Sequence, residues 1–323
     1  ESLFLSNVDP FSPSPVVNRP SVIASNSVGD SGAEISGSPG NITVSTPLLV
    51  LDGGSKINTA TGSSGTGGNV SIDGKEVVIS GQTIITNQGN LVNFGQFPSS
   101  GIFTGSLGGF CAGPCGDAGN VYITTESLVM EKGAQLNSST STDGSGGEVI
   151  VNATGTISIS GTLVDGISGG VFSQTAGTDP GSGAGGAISL TSGQNFTLSD
   201  GATVSASSNG PGNAGDIQVT AANTILLDGA SITTEAAQAS GGNIKLTAQD
   251  LIQLNDSVIS SSVQGDVNPA GGDINLDPDF IILENSQILA KAVQGQGGNI
   301  TLIANKAVLV DSFSSLDASS ASG

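Results

Sequence analysis

The 323-residue chain predicts an all-β solenoid with three short strands per coil and about nine or ten coils. Three observations carry that expectation. A Gly-rich corner recurs at a nearly fixed period. Short runs of alternating apolar and polar residues follow every corner. The chain also holds 50 Gly but only 3% aromatics, which suits a narrow interior of Ile, Val and Leu rather than a broad layered core.

The period is read from the second Gly of each corner, or the Gly standing at that place: Gly40, Gly68, Gly119, Gly147, Gly186, Gly215, Gly242, Gly272 and Gly298. Six of the eight spacings lie between 26 and 30 residues; Gly68 to Gly119 and Gly147 to Gly186 are longer. A period in this range marks a solenoid, and alternation within the unit makes it a β-solenoid. The stretch GGNIKLTAQDLIQLN at 241–255 shows one unit. Ile244 and Leu246 form one inward run, Ile252 and Leu254 the next, and Ile259 the third. Other copies give Ile42/Val44, Leu49/Leu51 and Ile57; Val70/Ile72, Val77/Ile79 and Ile84; and Val149/Val151, Ile157/Ile159 and Leu163. The last copy gives Ile300/Leu302, Val308/Val310 and Leu316. At an inter-strand spacing of about 4.8 Å, nine coils would make a rod roughly 40–45 Å long.

The corners have their own chemistry. Asn follows the second Gly at Asn41, Asn69, Asn120, Asn243 and Asn299, and Asp stands there at Asp216 and Asp273. Stacked Asn side chains can hydrogen-bond as a ladder; equally, Asn is a tolerated turn residue. A second corner reads Asp52-Gly53, Asp200-Gly201, Asp228-Gly229 and Asn255-Asp256, where Gly supplies positive φ.

Residues 1–39 are expected to form an irregular segment or incomplete coil. Pro10, Pro13, Pro15 and Pro20 cannot donate to a ladder, while 21–24 and 34–36 could be strands of an earlier coil. Residues 40–323 form the repeat body, with insertions at about 90–117 and 164–184. Lacking an initiator Met and a signal sequence, the chain reads as a processed product or a segment of something longer.

Seven Lys/Arg against 27 Asp/Glu give a net charge of −20, which opposes nucleic acid and anionic membranes. No apolar run is long enough to insert into a bilayer. With no His, the usual general base and commonest transition-metal ligand are missing. Calcium on the acidic surface is a minor alternative, since the Asp spacing lacks the dense nonapeptide of calcium-binding β-rolls. No catalytic residue, cofactor or metal site is assigned.

The first insertion carries Phe94, Phe97, Phe103 and Phe110 with both cysteines, Cys111 and Cys115. A Cys111–Cys115 disulfide requires a sharp turn, which Gly113-Pro114 favours. The Phe cluster is either a satellite core on the flank of the rod or an exposed platform for a glycan or partner protein. The second insertion carries Asp165 and Asp179, a carboxylate pair usable in glycoside chemistry. A lyase acting on uronates, however, needs concentrated positive charge or Ca²⁺, and the cations here stand singly.

Gly241 to Leu246, Asp228-Gly229-Ala230-Ser231-Ile232, Asn285 to Ala290, Val293 to Ile300 and Leu316 to Ser320 resemble filamentous-haemagglutinin-like exoproteins of Gram-negative bacteria. The similarity covers roughly 40–323 and is densest from 183. It implies a right-handed parallel β-helix exported by two-partner secretion, with an outer-membrane secretion partner. The family's Asn-Pro-Asn-Gly-type secretion motif is not found; Ser6 to Pro10 is a faint echo. The expectation is a non-enzymatic extracellular or cell-surface fibre, stalk or adhesin segment. Its partners would be glycans or proteins of a host or neighbouring cell, or further copies stacked end to end. A head-to-tail filament subunit and a carbohydrate-active β-helix enzyme are the alternatives.

Overall fold

The computed structural model describes residues 2–5, 21–28, 37–81, 99–106, 115–163, 166–265 and 270–321. Among these the fold is all-β, without a helix, and its strands pair in parallel. Each strand lies in register on the equivalent strand one repeat away, giving a solenoid-like stack. Val149 to Ala153, for example, pairs with Val121 to Thr125 on one side and Ile188 to Ser192 on the other. Each coil has three sides. The first and second merge into a 17-stranded sheet, because Ile42–Asp52 and Val70–Ser80 run through both without a break. The third sides form a separate ten-stranded sheet.

Alternation decides which residues face inward. Val149–Ala153 alternates buried and more exposed positions, as does Ile225 to Leu227, because successive side chains of a strand point to opposite faces. The inward residues stack into columns such as Ile57, Ile102, Leu136, Val171, Val204, Ile232, Ile259 and Ile288, all fully buried. Each contributes roughly 1.5–3 kcal/mol of transfer free energy, opposed by the entropy of ordering the chain. The coil at 300–317 is covered from one side only. Its Val308, Val310 and Leu316, expected in the interior, are therefore 42%, 45% and 41% exposed.

The Gly corners are dictated by stacking distance. A Cβ on Gly119 would stand 2.0 Å from the carbonyl oxygen of Gly68, and one on Gly242 2.0 Å from that of Gly215. At the second corner, Gly53, Gly201 and Gly229 take positive φ as expected, while Asp200 and Asp256 adopt the left-handed conformation themselves.

In the N-terminal segment the described strands stack on the coil that follows. Leu3–Leu5 pairs with Leu49 to Leu51 as a second side, and Val22–Ala24 with Lys56–Asn58 as a third. Residues 34–36 lie outside the described residues.

Two expectations about the insertions are corrected. In the interrupted coils the third-side inward residues are Ile102 and Val171, where a fixed offset from the second strand had pointed to Ile84 and Leu163. Extra residues enter before the third strand, so the offset lands inside them; Ile84 itself lies outside the described residues. Neither insertion is a single loop. In each, a third-side strand, Gly101–Phe103 or Gly170–Phe172, sits between two stretches of added chain. Phe103, expected on a loop, belongs to that strand and is only 4% exposed.

Candidate binding groove

The site grows from the corner that joins the third side of one coil to the first side of the next. In four successive coils this corner reads Ser38-Pro39-Gly40-Asn41, Thr66-Gly67-Gly68-Asn69, Asp117-Ala118-Gly119-Asn120 and Ser145-Gly146-Gly147-Glu148. The turn is fixed from within its own coil: the N–H of Gly119 donates to the carbonyl of Thr104 at 2.8 Å, and that of Gly147 to Ser138 at 2.9 Å. Hydroxyls buried behind it complete the lock. Thr59 Oγ1 donates to Gly68 O at 2.5 Å, Thr104 Oγ1 to Gly119 O at 2.7 Å, and Ser138 Oγ also reaches Gly119 O.

Because the corners stack, their side chains form rows. Asn41 Oδ1 accepts the N–H of Asn69 at 2.8 Å, Asn69 Oδ1 that of Asn120 at 2.9 Å, and Asn120 Oδ1 that of Glu148 at 2.7 Å. The ladder thus runs from side-chain oxygen to the backbone of the next coil, rather than from amide to amide. Three residues earlier in each corner lies a second row. Ser38 and Thr66 hydroxyls are 3.4 Å apart, and Asp117 Oδ1 accepts the N–H of Ser145 at 2.7 Å. Between the two rows the backbone of Pro39, Gly67, Ala118, Gly119, Gly146 and Gly147 forms a floor. The result is a polar groove of about 520 Å³ along the stacking direction.

Both rows then break. Glu148 and Ala187 occupy the ladder position in consecutive coils, and no side-chain oxygen caps the N–H of Ala187 or Asp216 among the described residues. The ladder resumes with Asp216 Oδ1 accepting from Asn243 N, Asn243 Oδ1 from Asp273 N and Asp273 Oδ1 from Asn299 N, at 2.7, 3.0 and 2.8 Å.

The remaining site residues are dispersed. Cys115 is disulfide-bonded and buried two residues before Asp117, holding the chain where it enters the groove; Cys111 lies outside the described residues. Phe94, Phe97 and Phe110 lie outside them as well; of the four, Phe103 alone is among the described residues. Among the described residues no three acidic, Cys or His side chains converge as metal ligands. Asp165 is outside the described residues and Asp179 is exposed.

The perturbed ionisable groups stand away from the groove. Burial pushes the Lys56 amine down to about 8; among the described residues its Nζ has only the carbonyl of Gly54, at 3.3 Å. Hydrogen bonds from Lys306 and Asn305 hold the Asp279 carboxyl below its ordinary range, and Asp279 in turn raises Lys306. Lys306 also lies 5.1 Å from the ring centroid of Phe280.

Sequence reasoning singled out the Asn column but missed the row of Ser38, Thr66, Asp117 and Ser145. The signal existed, since these residues stand at one fixed offset from the ladder positions. Its meaning depended on knowing that the corners stack into two walls.

Comparison with protein-family models, with curated proteins and with solved structures returns no match to this chain.

Proposed function

We propose that the chain is a right-handed parallel β-helix serving as a non-enzymatic fibre, stalk or adhesin segment on a Gram-negative cell surface, of the filamentous-haemagglutinin-like kind. The observation that carries this reading is the uninterrupted in-register stack of third-side strands from Val22–Ala24 to Ser315–Asp317. Such a stack spans distance with a uniform cross-section, because each coil satisfies its backbone groups on its neighbours. Polar corner rows facing outward suit a role in contact rather than turnover, and the charge of −20 keeps rods apart in solution.

Two measurements test the reading. Electron microscopy of the purified chain should show short rods of uniform width, and a density map should show the coil winding right-handed. Compact particles or a left-handed winding would sink the β-helix. Long filaments would favour end-to-end assembly instead. Beads coated with the chain should adhere to host or neighbouring cells, and beads that adhere to nothing would remove the adhesive role.

A further inference from the structure

We infer that the groove over the first four corners is a binding site for a neutral, hydroxyl-rich polysaccharide lying along the stacking direction. This rests on the adhesive reading and assigns it a site and a ligand class.

The argument begins with the orientation of the Asn side chains. Each Oδ1 of Asn41, Asn69 and Asn120 is committed to a backbone N–H of the next coil. The amide orientation is therefore fixed by bonding, and each Nδ2 points away from that bond. Each Nδ2 carries two N–H donors, and none has a protein partner among the described residues. The coils thus display a row of uncharged donors at a repeat of about 4.8 Å. Across the Gly floor, Asp117 keeps Oδ2 as an acceptor, and Ser38, Thr66 and Ser145 offer hydroxyls.

The ligand must match donors on one wall and acceptors on the other, at short repeat. Nucleic acids and uronate polymers bring negative charge against a chain of net charge −20 and against Asp117, so they are disfavoured. An extended peptide presents carbonyls to one side only about every 6.6 Å, two residues at strand rise, out of step with the coils. A neutral glycan has hydroxyls on every ring. Each hydroxyl accepts from an Asn Nδ2 or donates to Asp117, and the ligand brings no charge to desolvate. The Gly floor lets the chain approach the backbone closely. A Cβ at Gly67 or Gly147 is already excluded by stacking, so the floor stays flat.

The test uses the full chain in native gels cast with soluble dextran, β-glucan, mannan or galactan, and with polygalacturonate as the acidic control. At least one neutral polymer should retard the parent, and polygalacturonate should not. The triple variant Asn41→Asp/Asn69→Asp/Asn120→Asp keeps Oδ1 in the ladder, as Asp216 and Asp273 already do, but removes every Nδ2 donor. Its circular dichroism should match the parent's, and its affinity should fall by about tenfold or more, as expected for several lost hydrogen bonds. Asn69→Asp alone serves if the triple variant does not fold, and should weaken retardation measurably. Asn243→Asp/Asn299→Asp adds charge to the other stretch of the ladder and should leave retardation unchanged. The inference is overturned if no neutral polymer retards the parent, if the Asp variants are retarded equally, or if polygalacturonate binds best. Cell adhesion of coated beads that survives in the triple variant would overturn the groove assignment while leaving the adhesive reading intact.

Discussion

The coils before Ser208 and those after it share one backbone frame and fill it differently. A column just beyond the third side is joined by parallel bridges from Thr61 through Ser106, Thr140, Thr175 and Ser208 to Ala236, Val263 and Ala292, ending on the exposed Ser320. In the earlier stretch every member is a buried hydroxyl residue; in the later one Ala236, Val263 and Ala292 form a small apolar cluster with Ala214. Some of the hydroxyls are served locally: Thr140 Oγ1 donates to Gly144 O at 2.7 Å and Thr175 Oγ1 to Ala184 O at 2.8 Å. Among the described residues Ser106 and Ser208 have no partner for Oγ. The corner ladder changes with the column, neutral at Asn41, Asn69 and Asn120 and then carrying carboxylates at Asp216 and Asp273. The contrast teaches that the backbone bonds between coils set the frame, so column residues are constrained by volume more than by polarity. Polar groups accumulate in the stretch that carries the groove.

The largest expected effect should erase the difference between the stretches. Gly147→Ala and Gly242→Ala each drive a Cβ to about 2.0 Å from a carbonyl of the coil below. Both should cost about 3 kcal/mol or more, read as a shift in denaturation midpoint. A large gap between them would mean that the two stretches do not stack alike.

Lys56 sharpens the comparison next, as a buried amine of the earlier stretch. Its amine in the folded chain loses its proton near pH 8, against 10.5 ordinarily. Between those values the unfolded chain binds more protons, so stability should rise as pH rises from 8 to 10.5. Lys56→Met should abolish that rise and stabilise the chain at pH 7 by up to about 3 kcal/mol. Thermal melts across that range would check it; an unchanged pH profile in the variant would exclude Lys56 as the source.

Smaller effects test the column and the ladder. Ser208→Ala removes an unpartnered buried hydroxyl and should stabilise by about 1 kcal/mol, while Ala236→Ser should cost about as much. Equal and negligible shifts would show that the column is indifferent to polarity. Ala187→Asn places an Oδ1 beneath the N–H of Asp216 and should add about 0.5 kcal/mol, with slower hydrogen exchange at Asp216. Unaltered exchange would show that the ladder cannot be rejoined there.

The fold was legible where a side chain's role depends only on its offset from a corner. Ile244, Leu246, Ile252, Leu254 and Ile259 could be placed inward because alternation and period agree. Ile102 and Val171 could not, because added residues shift the offset without changing the local pattern. Phe103 illustrates the same failure: its neighbours resemble a loop in composition, but stacking on Asn58 and Asn137 makes the segment a strand. Of the groove, the Asn row was legible and its bonding partners were not. A ladder of side-chain oxygen to backbone N–H depends on which residue lies in the next coil. Lys56 gave no signal at all, since nothing in the residues next to it in the sequence marks its burial.

The two interrupted coils place their extra residues at the same pair of corners. Added chain enters between Ser80 and Gly101 and between Ser160 and Gly170, then again between Phe103 and Val121 and between Phe172 and Ile188. The pairings that set register, by contrast, lie wholly within the strands. Lengthening a corner therefore leaves alignment untouched, and the closure entropy grows only with the logarithm of length. Those two edges act as ports: foreign segments could be spliced in or exchanged there while the barcode of inward Ile, Val and Leu goes on specifying the same rod.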